Sequence, residues 1–328
     1  MGVTINDIAR ICQVSRTTVI RALNNKGRIS EETRQRILDT AENLGYRPDL
    51  LARGLVKGKS SYIGVVVYDV KNQYFSQMLN EIELQAQKRD YFVNISLHEK
   101  NQKREKELIC RLVDYHVDGL ILSPVNRGED FAEFLRGLKT PVVIIGNKVA
   151  DDIPYVGIDE EKAAYEAVEK ILEKGYEQIC FVCPPLAEWE TGNIYTHEMR
   201  LSGVKRALDA HPEIELKTIG HFGYLEEAEK ILKSGNKRTA FFCSGDVFAL
   251  DIVKSLREQG LRAPEDYGIM GFDNIDFLEY LSPRLSTISN SVEMVAEKAV
   301  DHLFDLMEEK QIPNAEFVNH RMIDGETL

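Results

Sequence analysis

From Tyr62 to about Gly271 the chain alternates short apolar runs with longer amphipathic stretches, which restricts its fold more than any other sequence feature. The strand-like runs are Ile63–Tyr68, Phe92–Ser96, Gly119–Leu122, Val142–Ile145, Ile179–Val182, Ala240–Cys243 and Tyr267–Gly271. Helices are expected between them, over 75–89, 102–115, 160–174, 198–210, 224–234 and 246–259. A run that is apolar on both faces fits a strand covered on both sides, and intervening helices supply the cover. The pattern predicts two doubly wound parallel-sheet α/β lobes, one before about Gly157 and one after. Ligands of such sheets bind at the carboxyl ends of the strands, and two facing lobes form a cleft that can close on a small molecule.

The first sixty residues follow a different rule. Thr4-Ile5-Asn6-Asp7 has the pattern of a capping box, followed by an apolar face of Ile5, Ile8, Ala9 and Ile11 or Cys12. Cys12-Gln13-Val14 reads as a turn, and Ser15 as the cap of a second helix. That helix turns Val19, Ala22 and Leu23 inward and Arg16, Thr17, Ile20 and Arg21 outward. Ser30 opens a third helix carrying Ile37, Leu38, Ala41 and Leu44, which Gly45 and the Arg47-Pro48 step bring to an end. Helix, tight turn, helix and supporting helix is the helix-turn-helix arrangement, an all-α head before the α/β body. The pattern alone also fits a small helical bundle with a solvated charged face.

Charge distinguishes the two parts. The net charge is −12, yet residues 1–60 hold 11 Lys/Arg against 6 Asp/Glu. A basic head on an acidic body concentrates polyanion binding at the N-terminus. The five cysteines, Cys12, Cys110, Cys180, Cys183 and Cys243, are odd in number and scattered, as in a reducing cytosol. Cys180-Phe-Val-Cys183 has C-x-x-C spacing but lies in an apolar run without a second pair, so core packing is expected and no metal site. No apolar stretch approaches the roughly 20 residues needed to span a bilayer, and no secretory signal follows Met1. The expected location is cytoplasmic. Gly58-Lys59-Ser60 is excluded as a phosphate-binding loop, because Arg53 stands where that loop needs glycine and no strand precedes it.

The strings Val3–Ala9, Val14–Val19, Arg21–Asn24, Ser30–Thr33, Leu44–Pro48 and Ala52–Leu55 closely resemble the N-terminal domain of lactose-repressor (LacI) family transcriptional regulators. Gly157-Ile-Asp159, Arg200-Leu-Ser-Gly203, Gly271-Phe-Asp-Asn274 and Leu281–Ile288 extend the resemblance over the body, whose organisation is similar to periplasmic sugar-binding proteins. The resemblance implies a helix-turn-helix domain over 1–47, a hinge over 48–60 and an effector-binding and dimerisation domain over 61–328. Within the last, it implies one lobe of about 61–157 and 289–318 and another of about 158–288 and 319–328.

It also implies residue roles. Arg16, Thr17 and Arg21 fall at base-reading positions, where arginine donates two hydrogen bonds to guanine and threonine offers a hydroxyl and a methyl. Thr4, Ser15, Thr18, Asn24, Ser30 and Tyr46 fit phosphate contact or positioning. Leu55 falls where the family's hinge leucine wedges into the minor groove. Gln13 stands where many relatives have glycine, Ile20 replaces a frequent serine, and Gly54 weakens the expected hinge helix.

The effector residues implied are Tyr68, Tyr74, Phe75, Ser123, Asn147, Thr196, Arg200, Phe222, Asp246, Asp273 and Asn290. Aromatic faces suit a sugar ring, and Arg, Asp and Asn bind hydroxyls or a carboxylate. Arg200 with Asp273 is the strongest expected pair, with a structural ion pair as the alternative. Lys148 and His221 are candidates for added positive charge toward an acidic sugar. The expected partners are double-stranded operator DNA, a sugar-like effector (sugar, sugar acid or sugar phosphate) and a second copy of the chain, with no membrane, cofactor or metal. A transport or chemotaxis binding protein is the second reading. An enzyme using Asp246 and Asp273 is the third, disfavoured because no nucleophile-base motif accompanies them.

Overall fold

The computed structural model describes residues 3–47, 58–183 and 192–328, and the chain divides into two compact units, Met1–Ser60 and Ser61–Leu328. The expected hinge residue Leu55, together with Gly54, lies outside the described residues.

The first unit holds helices α1 (Ile5–Ile11), α2 (Arg16–Leu23) and α3 (Glu31–Asn43). Each start is fixed locally. Thr4 and Asp7 form the reciprocal capping box, and the hydroxyls of Ser15 and Ser30 accept from the amides of Thr18 and Thr33. Ile8, Val19, Ala22, Ile37 and Ala41 make the core, and Cys12 rather than Ile11 completes it: Ile11 is 53% exposed. Gln13 occupies the α1–α2 turn with φ +50°, the left-handed region that favours glycine.

The second unit holds three sheets. A six-stranded parallel sheet has β1 (Tyr62–Val67), β2 (Phe92–Leu97), β3 (Gly119–Leu122), β4 (Val142–Ile145), β5 (Tyr155–Ile158) and β11 (Ala315–Val318), in the order β11-β5-β4-β3-β1-β2. Helices α4 (Gln73–Gln87), α5 (Gln102–Asp114), α6 (Glu129–Arg136) and α11 (Val292–Met307) accompany it. A second parallel sheet takes β6 (Gln178–Val182), β7 (Glu215–Ile219), β8 (Thr239–Cys243) and β9 (Gly268–Met270) in the order β7-β6-β8-β9. It is accompanied by α7 (Glu160–Glu173), α8 (Tyr195–Leu208), α9 (Tyr224–Ser234) and α10 (Asp246–Glu258). The third sheet is an antiparallel pair of β10 (Thr287–Ser289) and β12 (Arg321–Ile323), which the all-parallel expectation did not include.

The chain leaves the first sheet after β5, returns through β10 and α11 to β11, and then runs to β12. The strands are buried because both faces are covered: β1, β3 and β4 carry Val65, Ile121 and Val143 into one core cluster and Val66, Leu120 and Ile144 into another. Cys180 and Cys183 are fully buried in separate core clusters, and burial pushes their thiols up to about 12 and about 11. The C-x-x-C pair therefore packs to either side of β6. Helices α7 and α8 meet at Gly203, where a Cβ would stand 2.1 Å from the Glu161 carbonyl oxygen.

Candidate nucleic-acid interface and ligand cleft

On α2, burial of Val19 and Ala22 leaves Arg16, Thr17 and Arg21 exposed. Neither arginine forms an ion pair among the described residues, so both guanidinium groups are available to an anion. Gly27, at φ +82°, lets the following turn pass against the Arg21 stem, with its Cβ position 3.2 Å from Cδ. Thr4, Ser15 and Ser30 are exposed at helix starts, Thr18 bonds Ser15 at 2.9 Å, and Tyr46 packs against the small core. Asn24 is the half-buried C-cap of α2. Helix N-termini with exposed hydroxyls suit phosphate oxygens, and free arginines beside a threonine suit base edges.

The body's expected effector residues all follow strands. Tyr68, Ser123 and Asn147 come after β1, β3 and β4, Thr196 and Arg200 after β6, and Phe222, Asp246, Asp273 and Asn290 after β7, β8, β9 and β10. The structure brings most of them together. Tyr68, Phe75 and Tyr74 form a chain of edge-on rings with centroids 5.9 and 5.1 Å apart. Burial, then the charges of Asp273 and Glu160, push the Tyr74 hydroxyl far above the ordinary phenol range, which ties this aromatic wall to the second lobe. Asn290 Nδ2 donates to Asp273 Oδ1 at 2.8 Å, while Asn290 Oδ1 is buried without a partner.

Arg200 is anchored differently from the expected pairing. Its Nε donates to Glu160 Oε2 at 2.8 Å and its Nη1 to the Ser244 carbonyl at 2.6 Å; Asp273 Oδ1 stands off at 4.0 Å. The guanidinium lies 3.5 Å over the Phe272 ring. Glu160, the first residue of α7, is thus the principal partner of Arg200. Burial opposes the guanidinium charge, but Glu160 and Asp273 raise its pKa overall. Burial pushes the Asp273 carboxyl up to about 7 despite Arg200 and Asn290, which favour its charge.

A polar strap crosses between the lobes. Asn193 Nδ2 donates to the carbonyls of Asn126 and Lys148 at 3.1 and 3.0 Å, and Asn147 Nδ2 donates to the Asn193 carbonyl at 2.8 Å. Asn147 Oδ1 accepts from both the amide and the hydroxyl of Thr196 at 3.1 Å. Below it, buried Glu105 accepts from the amides of Val125 and Asn126 and from Asn126 Nδ2, and burial pushes its pKa up to about 7. On the opposite side, Gln77 Nε2 donates to Asp276 at 2.9 Å and the Phe277 amide to Gln73 at 3.1 Å. Two cavities, of about 360 and 430 Å³, open there and share Gln73 and Ser76.

Three expected effector residues do not join this group. Asp246 has no exposed surface; it accepts from the Thr287 hydroxyl at 2.6 Å and the Ile275 amide at 3.0 Å. In this structure it braces the chain's own loops. Phe222 is 70% exposed and has no ring contact among the described residues. Ser123 is buried, with its hydroxyl close to Gly146. Lys148 is engaged by Asp151 at 2.6 Å, and exposed His221 accepts from the Gly223 amide at 3.2 Å. The helix expected over 198–210 begins earlier, at Tyr195, and residues 184–191 lie outside the described ones. Sequence reasoning missed Glu160, Asn193, Asn126 and Glu105; the signal available was Asn193 two residues before a helix start at the end of a strand-to-helix loop.

Comparison with known proteins gives a consistent answer. Residues 4–49 match the model of bacterial regulatory proteins of the lacI family, and residues 168–328 match a periplasmic binding protein-like domain. Catabolite control protein A of Priestia megaterium is 32% identical, over 96% of this chain and 96% of its own length. The HTH-type transcriptional repressor CytR of Escherichia coli (strain K12) is 29% identical over 99% of this chain and 94% of its own. Among solved structures, a Lac repressor dimer bound to operator and the anti-inducer ONPF superposes with a TM-score of 0.88 at 23% identity, covering 100% of this chain and 99% of that one.

Proposed function

Since the chain belongs to the lacI family of bacterial regulatory proteins, whose members are DNA-binding transcriptional regulators, we propose how its residues divide that work. Arg16, Thr17 and Arg21 read base edges in the major groove, and Thr4, Ser15, Thr18, Asn24, Ser30 and Tyr46 hold the phosphates. Leu55 wedges into the minor groove from the hinge over 48–60. The body, 61–328, binds a sugar-like effector through Tyr68, Tyr74, Phe75, Asn147, Thr196, Arg200, Asp273 and Asn290, and the bound state shifts the lobes and thereby the affinity for DNA. The output is repression. The observation that carries this reading is the pair of exposed arginines on α2 of a capped helix-turn-helix, with no ion-pair partner among the described residues.

A second copy completes the assembly, because a near-palindromic operator with half-sites about one helical turn apart needs two heads. The edge strand β2 supports this: it leaves Phe92 56% and Ile95 46% exposed, as does Leu84 at 41% on the neighbouring α4. No described helix is long and apolar enough to cross a membrane. Fluorescence anisotropy with DNA from upstream of the protein's own gene tests the reading. Salt-sensitive, sequence-specific binding that fails in Arg16→Ala and Arg21→Ala is expected; binding indifferent to both changes overturns it.

A further inference from the structure

We propose that the ligand held between the lobes carries an anionic group, a carboxylate or a phosphate, docked between Lys100 of the first lobe and His197 of the second. This rests on the effector reading above and narrows its chemistry. Lys100 follows β2 and holds its ammonium 5.0 Å over the Tyr68 ring, on the aromatic wall of the cleft. It has no carboxylate partner among the described residues. Four neighbouring cations are engaged: Arg127 by Glu198 at 3.2 Å, Lys148 by Asp151 at 2.6 Å, Arg104 by Glu99 at 2.8 Å and Arg200 by Glu160 at 2.8 Å.

His197 lies in the first turn of α8, three residues before Arg200 and so on the same face of the helix. Its Nδ1 is buried without a hydrogen-bond partner, an arrangement that costs stability until something fills it. Asn193 Oδ1 and Asn147 Oδ1 already take the amides of Tyr195 and Thr196 at 3.2 and 3.1 Å, and the positive end of the helix still favours negative charge. The field at this point is positive: after burial, Arg200 and Lys100 are what drive protons off the His197 ring, which stays neutral with a pKa of about 3. His197 stands between Thr196, which bonds Asn147 of the first lobe at 3.1 Å, and Arg200, 4.0 Å from Asp273, so the helix turn that carries it borders the cleft. At the other end, Asn290 Oδ1 is an orphan acceptor beside Asp273, suited to hydroxyl donors. An anion at one end and a polyol at the other describes an aldonate, a uronate or a sugar phosphate.

The test uses the full chain and matched probes: glucose, gluconate, glucuronate and glucose 6-phosphate, with the corresponding galactose, fructose and ribose series. Thermal shift and titration calorimetry are read for each, together with DNA binding. At least one acid is expected to raise Tm by about 5 °C at a hundredfold excess over Kd, where its neutral parent does not. Lys100→Met weakens that acid by about ten- to a hundredfold and leaves neutral sugars unchanged; Lys100→Arg retains most of the affinity. Carboxylate and phosphate arms show which anion is taken. A neutral parent that binds as well as its acid, an acid indifferent to both Lys100→Met and His197→Ala, or no acid binding at all overturns the proposal. If a neutral sugar binds and alters DNA affinity, only the anion claim falls; if no probe affects Tm or DNA, the effector reading falls with it.

Discussion

Replacing Glu160 by glutamine keeps the shape of the side chain and removes the carboxylate that touches Arg200. The two side chains are only 6% and 5% exposed, so water offers the orphaned guanidinium little compensation. Breaking a buried pair by removing one partner costs about 3–5 kcal/mol. Here the loss is moderated. Nη1 keeps the Ser244 carbonyl at 2.6 Å, the Phe272 ring remains 3.5 Å away, and Asp273 at 4.0 Å supplies part of the missing charge. The expected destabilisation is therefore about 2–3 kcal/mol. With about 2.1 cal/mol/K of unfolding entropy per residue over the second unit, this lowers its Tm by about 4–5 °C. Calorimetry on the full chain measures it, with Glu161→Gln as control: the Arg206–Glu161 contact is exposed at 50% and 30%, and such pairs contribute about 0–1 kcal/mol. A Glu160→Gln variant no less stable than the control would refute the account of how Arg200 is held. A double replacement, Glu160→Leu with Arg200→Met, should recover stability while losing ligand binding, because the apolar pair leaves no buried charge.

Other substitutions test other parts. Gln13→Gly relieves a left-handed φ of +50° and should stabilise the first unit by about 0.5–1 kcal/mol in urea unfolding, with DNA affinity retained. Gly203→Ala forces α7 and α8 apart, since its Cβ would meet the Glu161 carbonyl oxygen at 2.1 Å, and should cost about 1–3 kcal/mol by the same measurement. His197 gives a pH signature. Its folded pKa of about 3 lies below the usual value near 6.5, so the unfolded chain binds more protons between them. Stability from this group is complete above pH 6.5 and is lost as pH falls toward 3. Near pH 5.5, His197→Asn should flatten the plot of unfolding free energy against pH by about 1 kcal/mol per pH unit; an unchanged slope would show the ring is not held neutral.

The head was legible because its determinants are local. Thr4 with Asp7, Ser15 and Ser30 fix helix starts within three residues, and the structure repeats them. The parallel strands were legible for the same reason that they are buried. What escaped has tertiary causes. Thr287–Ser289 is three residues long and becomes a strand only because Arg321–Ile323 returns beside it. Tyr155–Ile158 and Ala315–Val318 pair across more than 150 residues. Within the cleft, residue types announced polar chemistry but not its partners. Glu160 precedes Arg200 by forty positions, and the two meet because α7 and α8 pack at Gly203. Asp246 is implied as a ligand by the family resemblance, and its contacts to Thr287 and Ile275 from the first turn of α10 are tertiary features that residue type does not announce.

The central claim is that the ligand cleft and the DNA-reading helix share one equilibrium. The most direct measurement is reciprocal: the Kd for specific DNA with and without saturating ligand, and the Kd for that ligand with and without saturating DNA. Thermodynamic linkage requires the two ratios to be equal, and a coupling of about 5–150-fold is typical of allosteric proteins. The account predicts matching ratios in that range, in either direction, collapsing to one in an Arg200→Met variant that no longer binds ligand. A ligand that binds the body tightly and leaves DNA affinity unchanged would contradict it.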